Sequence, residues 1–301
     1  MVYLYKKIIN GTPYYYLRVS KRIKGKIAVK DIAYLGNDIS KIEKKIGDLP
    51  KIHKNDIRKA YRNIKRFIQE EYYLKKIKSE KLKETPYISK KTLEEIEAVK
   101  LHFNNEFLKK DKQIVLDTYE NFIIDFAFNT TSLEGNTITL EEANKLFKEN
   151  LTPKNRTLRE VYDLQNTKKV FFDMLNTKKK ITTEFIIKIH DNLIENIDLR
   201  KGYRNHDIRV FKSHFEPTPH PYVKTDMELL IKWYKQNEKT LHPLALAGMF
   251  HHKLEKIHSF SDGNGRTGRM ILAYMLLKKG YPPIIIRKSK RGEYLDAMGK
   301  A

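Results

Sequence analysis

The sequence predicts a mainly α-helical protein whose helical core carries a small β-hairpin flap and follows a small β-meander and a basic helix. Two runs, VYLYKKII and PYYYLRVS, flank Asn10-Gly11, and GKIAVKDIAYLG follows them as a third strand. Asn-Gly is the dipeptide that tight hairpin turns favour. From about residue 90 onward, apolar residues recur mostly at helical spacing. These observations place the β-structure at the N-terminus and helices after it.

The first helix is predicted over residues 51–83. Its apolar residues recur every three or four positions and form one stripe, made of Ile57, Tyr61, Ile64, Ile68 and Tyr72. Pro86 disfavours helix at the residue before it. We therefore expect an accessory domain over residues 1–86 and a helical region over residues 87–301.

Further helices are expected over 111–130, 183–197, 225–237 and 243–257. Thr139-Leu-Glu-Glu142 and Thr157-Leu-Arg-Glu160 both have the capping-box pattern that begins a helix. Residues 201–224 break the helical pattern with three prolines. The β-like segment DIRVF within them predicts a hairpin flap at about Ile208, Arg209, Val210 and Phe211.

Composition limits the class of protein. The chain has 301 residues, 40% of them hydrophobic, and no cysteine. The length suggests about two domains, and the absence of cysteine excludes disulfides and thiolate metal sites. Since no run of about 18 apolar residues and no signal-peptide pattern is present, we expect a cytoplasmic protein with no membrane partner.

Charge is concentrated near the N-terminus. The net charge is +23, and residues 1–90 hold 24 Lys and Arg against 9 Asp and Glu. A basic region with many tyrosines is typical of binding to nucleic acid or another polyanion. Solvated surface lysines of a lysine-rich proteome explain the same charge more simply, so a nucleic-acid partner stays an alternative.

The stretch HSFSDGNGRTGR at residues 258–269 carries the chemistry. It lies between two predicted helices, and a glycine-rich turn that leads into a helix N-terminus points backbone N–H groups at an anion such as phosphate. Gly263 and Gly265 allow the backbone to approach closely. Phe260 is expected to point into the core.

Charged residues of the same stretch complete the site. Arg266 and Arg269, three positions apart, can clamp one phosphate chain. Asp262 places a carboxylate beside the phosphates. The two anionic groups would repel each other, and a bridging Mg²⁺ would neutralise both. His258 can take a proton from an attacking hydroxyl. The residues therefore predict a nucleotide-phosphate cradle with a general base at its edge.

This stretch resembles the Fic signature H-x-F-x-D-G-N-G-R-x-x-R at every specified position. The resemblance extends over about residues 115–301, with the Fic domain at about 180–301, and includes Gly202-Tyr203-Arg204 and His251. It implies a helical enzyme that transfers AMP from ATP to a Ser, Thr or Tyr hydroxyl of a protein, the chain itself included.

The resemblance also implies roles for individual residues. His258 would deprotonate the target hydroxyl, and Asp262 would hold Mg²⁺. The phosphate-binding residues would be Gly263, Asn264, Gly265, Arg266 and Arg269. The flap would dock the target by β-augmentation. Tyr294 would lie near the adenine, with ordinary helix packing as the alternative.

A second stretch, TTSLEGN at residues 130–136, resembles the inhibitory pattern [ST]-x-x-x-E-[GN] of the same family. Thr130, Glu134 and Gly135 match it. Glu134 would pair with Arg269 and keep that arginine from the γ-phosphate of ATP, so that the nucleotide binds unproductively. The alternative is a helix C-terminus closed by Gly135.

Other functions stay open at this point. The same site could remove AMP from a modified protein or transfer another nucleotide-linked group, although the phosphotransferase branch has a lysine-bearing loop in place of Gly263-Asn264-Gly265. A DNA-binding regulator with a secondary Fic activity is a third alternative, and a homodimer is a further one. His251 and His252 lack the spacing of a zinc site, so we expect them to serve packing or hydrogen bonding.

Overall fold

The computed structural model describes residues 1–23, 25–209 and 216–300. These residues form two compact units, one ending at Asn105 and the other beginning at Glu106. The predicted boundary at residue 86 stays a prediction. The division into compact units falls after Asn105 and not at residue 86, because the helix that follows Pro86 packs against the helix that precedes it.

The first unit begins with an antiparallel sheet of three strands, in the order β1 (Val2–Ile9), β2 (Thr12–Ile23) and β3 (Lys26–Gly36). Asn10 and Gly11 have φ angles of 49° and 77°, the left-handed values that the tightest hairpin turn requires. The predicted meander is therefore confirmed. One sheet face is buried and consists of Val2, Leu4, Tyr15, Leu17 and Leu35.

Helices cover that buried face. The helices on that face are α1 (Ile42–Gly47) and α2 (Lys51–Lys78), while α3 (Lys90–His102) packs against α2. Ala60 and Ile64 of α2 pack on the sheet, and Lys6 of β1 donates to Glu71 of α2 at 2.6 Å. The helix predicted over 51–83 is confirmed, but it ends at Lys78. Tyr61 was assigned to its apolar stripe and is 50% exposed, so that assignment was wrong.

The second unit is helical, as predicted. Its helices are α4 (Lys112–Leu133), α5 (Leu140–Glu149), α6 (Leu158–Leu175), α7 (Thr183–Leu193), α8 (Val223–Asn237), α9 (Pro243–Ile257), α10 (Asn264–Lys278) and α11 (Arg291–Lys300). Both predicted capping boxes are present, at Thr139–Glu142 and Thr157–Glu160. They fix the first residues of α5 and α6, because the box satisfies backbone N–H groups that a helix start leaves unpaired.

Helix α10 forms the centre of this unit. It packs against α4, α6, α7 and α9, and its residues are buried from Asn264 to Leu276. Because α10 is enclosed by other helices along its length, only its two ends are available to a bound molecule. Its N-terminus is the end at which residues 258–269 lie.

The predicted flap lies in the irregular segment between α7 and α8. Ile208 and Arg209 belong to no strand, and Val210 and Phe211 lie outside the described residues. The hairpin stays a prediction. Within the part of the chain that the structure describes, no helix is long and apolar enough to cross a membrane.

Candidate active site

The loop between α9 and α10 is shaped by two left-handed residues and one asparagine. His258 ends α9 with φ 51°, and Gly263 precedes α10 with φ 76°. The Asn264 side chain accepts from the Phe260 N–H at 2.9 Å and donates to the Phe260 carbonyl at 2.7 Å. This closes the loop on itself and leaves the first N–H groups of α10 without partners inside the helix, an arrangement that favours an anion.

Glycine leaves room for close approach at two positions of this loop and helix start. A Cβ on Gly263 would lie 3.0 Å from Ile194, on a backbone with positive φ. A Cβ on Gly265 would meet the Glu134 carboxylate and the Arg269 guanidinium. The first glycine therefore permits the turn, and the second permits charged side chains to approach the helix start.

Phe260 anchors the loop to the core. Its side chain is fully buried, as expected, and stacks on the His190 ring at 3.7 Å between ring centres. The Nε2 atom of His190 lies 3.0 Å from the Asp262 carbonyl oxygen. The neighbouring Asp191 accepts from the Gly202 N–H at 2.9 Å. The end of α7 thus fixes both the loop and the residue that begins the Gly-Tyr-Arg sequence.

Arg204 connects the loop to the segment around the predicted flap. It is buried, its Nε donates to the His258 carbonyl at 2.8 Å, and its N–H donates to the Ser259 carbonyl at 3.0 Å. Its guanidinium also donates to the carbonyls of His206 and Thr218. Sequence analysis noted Arg204 only as part of the family resemblance, whereas the contacts show that it positions the backbone of His258.

His258 is arranged to accept a proton. Its Nδ1 lies 3.2 Å from the Glu255 carbonyl oxygen, which can only accept, so Nδ1 carries the proton and Nε2 keeps its lone pair. Burial lowers the pKa of His258 below its ordinary value of 6.5. The ring is therefore neutral at pH 7 and can act as a base.

Asp262 is surrounded by cationic and N–H donors. It pairs with Arg159 of α6, lies 3.1 Å from Arg266, and accepts from the Gly263 N–H at 2.6 Å. Burial alone would raise the pKa of Asp262, but Arg266, the Gly263 N–H and Arg159 more than offset this and lower it. The carboxylate is ionised at neutral pH.

A Mg²⁺ ion fits this position only together with a nucleotide. Among the described residues there is no group of three or more carboxylate or histidine side chains that could hold a metal alone. Mg²⁺ in nucleotide enzymes is commonly bound by one or two carboxylates and by substrate phosphates. One ionised carboxylate beside an anion-binding helix start matches that donor set, with Asp262 as the residue that would hold the ion.

Arg266 is almost fully buried. Its side chain is 2% exposed and pairs with the buried Asp163 of α6 as well as with Asp262. Its predicted contact with phosphate stays a prediction, while its observed contacts orient Asp262. Sequence reasoning missed Arg159 and Asp163. They lie about a hundred positions before the loop, and only the capping box that begins α6 gave a signal in that region.

Arg269 is held by the residues of the TTSLEGN stretch. Its Nε donates to Thr130 Oγ1 at 2.7 Å, and its Nη2 donates to the Thr130 carbonyl at 3.0 Å and to Glu134 Oε1 at 2.6 Å. Gly135 has φ 101° and follows the last turn of α4. Burial alone would lower the pKa of Arg269, but the Glu134 carboxylate overcomes this and raises it.

Further polar groups lie next to Arg269. Tyr294 of α11 accepts from Arg269 at 3.4 Å, and its hydroxyl lies 2.8 Å from His251 Nε2. Burial lowers the pKa of His251 to about 3 and raises that of Glu255 to about 7, so His251 is neutral at pH 7. The expected hydrogen-bonding role of His251 is confirmed. The proximity of Tyr294 to adenine stays a prediction.

The fold brings most of the predicted residues to the N-terminus of α10. The loop residues His258 and Asp262 lie there with the helix residues, and Thr130 and Glu134 reach Arg269 across an interval of about 135 positions. The role predicted for Ile208 and Arg209 stays a prediction. Val210 and Phe211 lie outside the described residues.

The part of the chain that contains this loop is similar to a known family. Residues 180–276 match the model of the Fic/DOC family. The chain is 28% identical over 204 residues to the protein adenylyltransferase Fic of Drosophila melanogaster. The matched region covers 64% of this chain and 39% of that protein. It is 25% identical over 224 residues to the protein adenylyltransferase fic-1 of Caenorhabditis elegans, covering 71% and 43% respectively. The chain thus spans about two fifths of the length of these relatives.

Solved structures share the fold. A Fic-domain-containing signaling protein from Bacteroides thetaiotaomicron superposes with a TM-score of 0.61 at 22% identity, over 67% of this chain and 80% of that one. Fic-1 from C. elegans superposes with a TM-score of 0.59 at 23% identity, over 69% of this chain and 62% of that one. At these identities the likeness is one of fold.

Proposed function

We propose that this chain, which carries a Fic/DOC domain at residues 180–276, is a protein adenylyltransferase that moves AMP from ATP to a Ser, Thr or Tyr hydroxyl of a protein. The observation that carries the proposal is the position of a neutral His258 with a free Nε2 lone pair beside the anion-binding start of α10. The names of the Drosophila and C. elegans relatives support the same activity.

In the proposed reaction the target hydroxyl oxygen attacks the α-phosphorus of ATP. A bond forms between that oxygen and phosphorus, the bond from phosphorus to the bridging oxygen breaks, and pyrophosphate leaves. The hydroxyl proton passes to His258 Nε2. The N–H groups at the start of α10 and the Arg269 guanidinium stabilise the phosphate charge. When bound at Asp262, Mg²⁺ would supply further neutralisation of the phosphates.

Glu134 is proposed to inhibit this reaction. Its carboxylate and the two oxygens of Thr130 engage the Arg269 guanidinium, which is 3% exposed. An arginine that is already paired cannot offer the same donors to a γ-phosphate, because each N–H donates to one strong acceptor at a time. Glu134 itself is 42% exposed, so the ion pair can be opened without unfolding α4.

The test is self-modification of the full chain with ATP that is radiolabelled at the α-phosphate or at the γ-phosphate. We expect Glu134→Gly to raise labelling from the α-phosphate only. The double variant Glu134→Gly/His258→Ala should lose that labelling by about 10²–10⁴-fold, which is the usual contribution of a general base. Label from the γ-phosphate would indicate phosphotransfer and contradict the proposal.

Glu149→Gly is the matched control, because Glu149 is a glutamate at the C-terminal end of α5 in the same unit, whereas the carboxylate paired with Arg269 is that of Glu134. Equal gains in the Glu134 and Glu149 variants would contradict inhibition by Glu134. Adding unlabelled wild-type protein to labelled Glu134→Gly chain tests the alternative of AMP removal. Release of AMP in that experiment would show that the same site also runs in that direction.

A further inference from the structure

The outer face of the N-terminal sheet is covered with tyrosines. Directly paired residues of an antiparallel sheet project from the same face. Tyr5 pairs with Tyr16, which pairs with Tyr34, while Tyr14 pairs with Lys7 and Tyr3 with Arg18. We call this surface the tyrosine face, and its aromatic residues are Tyr3, Tyr5, Tyr14, Tyr16 and Tyr34.

These rings are exposed to different degrees and lie close together. Tyr34 is 57% exposed, and its ring centre lies 5.3 Å from that of Tyr16 and 6.3 Å from that of Tyr14. Further along the same face, Val29 and Ile27 are 51% and 74% exposed. The opposite sheet face is the one that packs on α2. Solvated surface lysines would explain the positive charge of this region, but they do not explain a cluster of exposed aromatic rings on the sheet face opposite α2.

Positive charge predominates on this sheet. Residues 1–36 contain eight Lys and Arg and a single acid, Asp31. Asp31 is paired with Arg18, whose guanidinium lies 3.3 Å above the centre of the Tyr5 ring. Lys7 and Arg22 are exposed on the tyrosine face, paired across the strands with Tyr14 and Ile27. The face therefore complements a polyanion.

Aromatic rings among cations select one kind of polyanion. Tyrosine rings and planar guanidinium groups stack on unpaired bases, and lysines or arginines neutralise the phosphates between them. In a duplex the base faces are stacked on one another, so five rings would have no base surface to cover. An acidic protein would satisfy the cations but would give the rings no flat partner.

We infer that the tyrosine face binds single-stranded nucleic acid. Tyr34 and Tyr16 stack on bases, the Arg18 guanidinium above Tyr5 offers a second stacking plane, and Lys7 and Arg22 contact phosphates. The site lies in the first unit and shares no residue with the candidate active site. It is thus a binding function additional to nucleotidyl transfer.

The test measures fluorescence anisotropy of labelled single-stranded DNA and RNA of about 12 nucleotides, a typical site size, against the full chain. Tyr34→Val removes the ring from an exposed strand position and keeps a good strand residue, while Tyr34→Phe keeps the ring. We expect Tyr34→Val to weaken binding about fivefold or more, the lower end of the stacking contribution. Tyr34→Phe should stay within about twofold of wild type. Equal losses in the two variants would overturn stacking by Tyr34.

Two charge variants separate the tyrosine face from general basicity. Lys7→Ala/Arg22→Ala removes two cations from this face, and Arg58→Ala/Arg62→Ala removes two exposed cations from α2. We expect only the first pair to weaken binding and to reduce the salt slope by about 1.4, at about 0.7 for each phosphate contact. A larger loss in the α2 pair, tighter binding of a duplex of the same length, or no binding at low salt each overturns the inference. Circular dichroism confirms that the variants are folded.

Discussion

His258 combines three features that a general base needs at neutral pH. Its Nδ1 proton is used by the Glu255 carbonyl, its carbonyl is fixed by Arg204, and its ring is partly buried. The identity of this residue could be predicted from the sequence, because the spacing to Asp262 and the glycines is local. The partner of its carbonyl could not be predicted, since Arg204 lies 54 positions away.

The lowered pKa of His258 predicts a pH profile for transfer. A base must be neutral, and a histidine whose pKa lies below 6.5 stays neutral as the pH falls through that value. We therefore expect the Glu134→Gly variant to keep its rate at pH 6.5 and to lose it only at lower pH. Initial rates of self-modification across pH give the measurement. A rate that halves near or above pH 6.5 would contradict a neutral, partly buried His258.

Arg159 provides a second prediction at this scale. It neutralises Asp262 from α6 and is 57% exposed, so its removal frees a carboxylate for a divalent cation. We expect Arg159→Gln to bind Mn²⁺ more tightly in the presence of ATP, as measured by calorimetry or by the spin signal of free Mn²⁺. The control is Arg200→Gln, because Arg200 is also exposed and pairs with Asp198 instead. No difference between the two variants would show that Arg159 does not compete for Asp262.

At the scale of the element, the start of α6 has the most consequences. Its capping glutamate, Glu160, accepts from Thr157 and also from the N–H and hydroxyl of Thr137, in the segment after α4. The same helix start carries Arg159 and, one turn later, Asp163. A capping box that was visible in the sequence therefore orients two residues of the site that were not.

Glu160 gives a prediction about stability. Hydrogen bonds from Thr137 and Thr157 lower the pKa of Glu160 from 4.5 to about 2, against the opposing effect of burial. A carboxylate with a lowered folded-state pKa stabilises the fold above its unfolded pKa, and this contribution is lost as the pH falls through the folded value. We expect Glu160→Gln to lower the free energy of unfolding near pH 7 and to have a much smaller effect near pH 2.

Urea denaturation of wild type and variant at both pH values measures this difference. Glu142→Gln is a parallel test, since Glu142 closes the other capping box and the hydrogen bonds of Thr139 and Arg156 also lower its pKa. The two variants should behave alike in sign, because both lose an ionised acceptor. A destabilisation by Glu160→Gln that is independent of pH would contradict the role of its charge.

At the scale of the whole molecule, the tyrosine face and the candidate active site belong to different compact units. The tyrosine face belongs to the unit that ends at Asn105, and the candidate active site belongs to the unit that begins at Glu106. We expect His258→Ala to bind single-stranded oligonucleotides as wild type does, and Tyr34→Val to bind a non-hydrolysable ATP analogue as wild type does. Anisotropy and calorimetry give the two cross-measurements, and a change of more than about fivefold in either would show that the surfaces are coupled.

The sequence by itself determined the local features of this protein. The hairpin at Asn10-Gly11, the capping boxes of α5 and α6, and the loop that begins α10 all depend on residues a few positions apart. Their turns and helix starts follow from backbone preferences that act within a single turn of chain. The same local pattern was enough to identify His258, Asp262 and the phosphate-binding loop as candidates.

Only the tertiary structure decided which distant groups meet at that loop. Burial of α10 among α4, α6, α7 and α9 brings Glu134 to Arg269, and Asp163 to Arg266. Burying a guanidinium is costly unless it is paired, so these carboxylates satisfy cations that the core of the helical unit encloses. No spacing in the sequence encodes such pairs, because they depend on how whole helices pack.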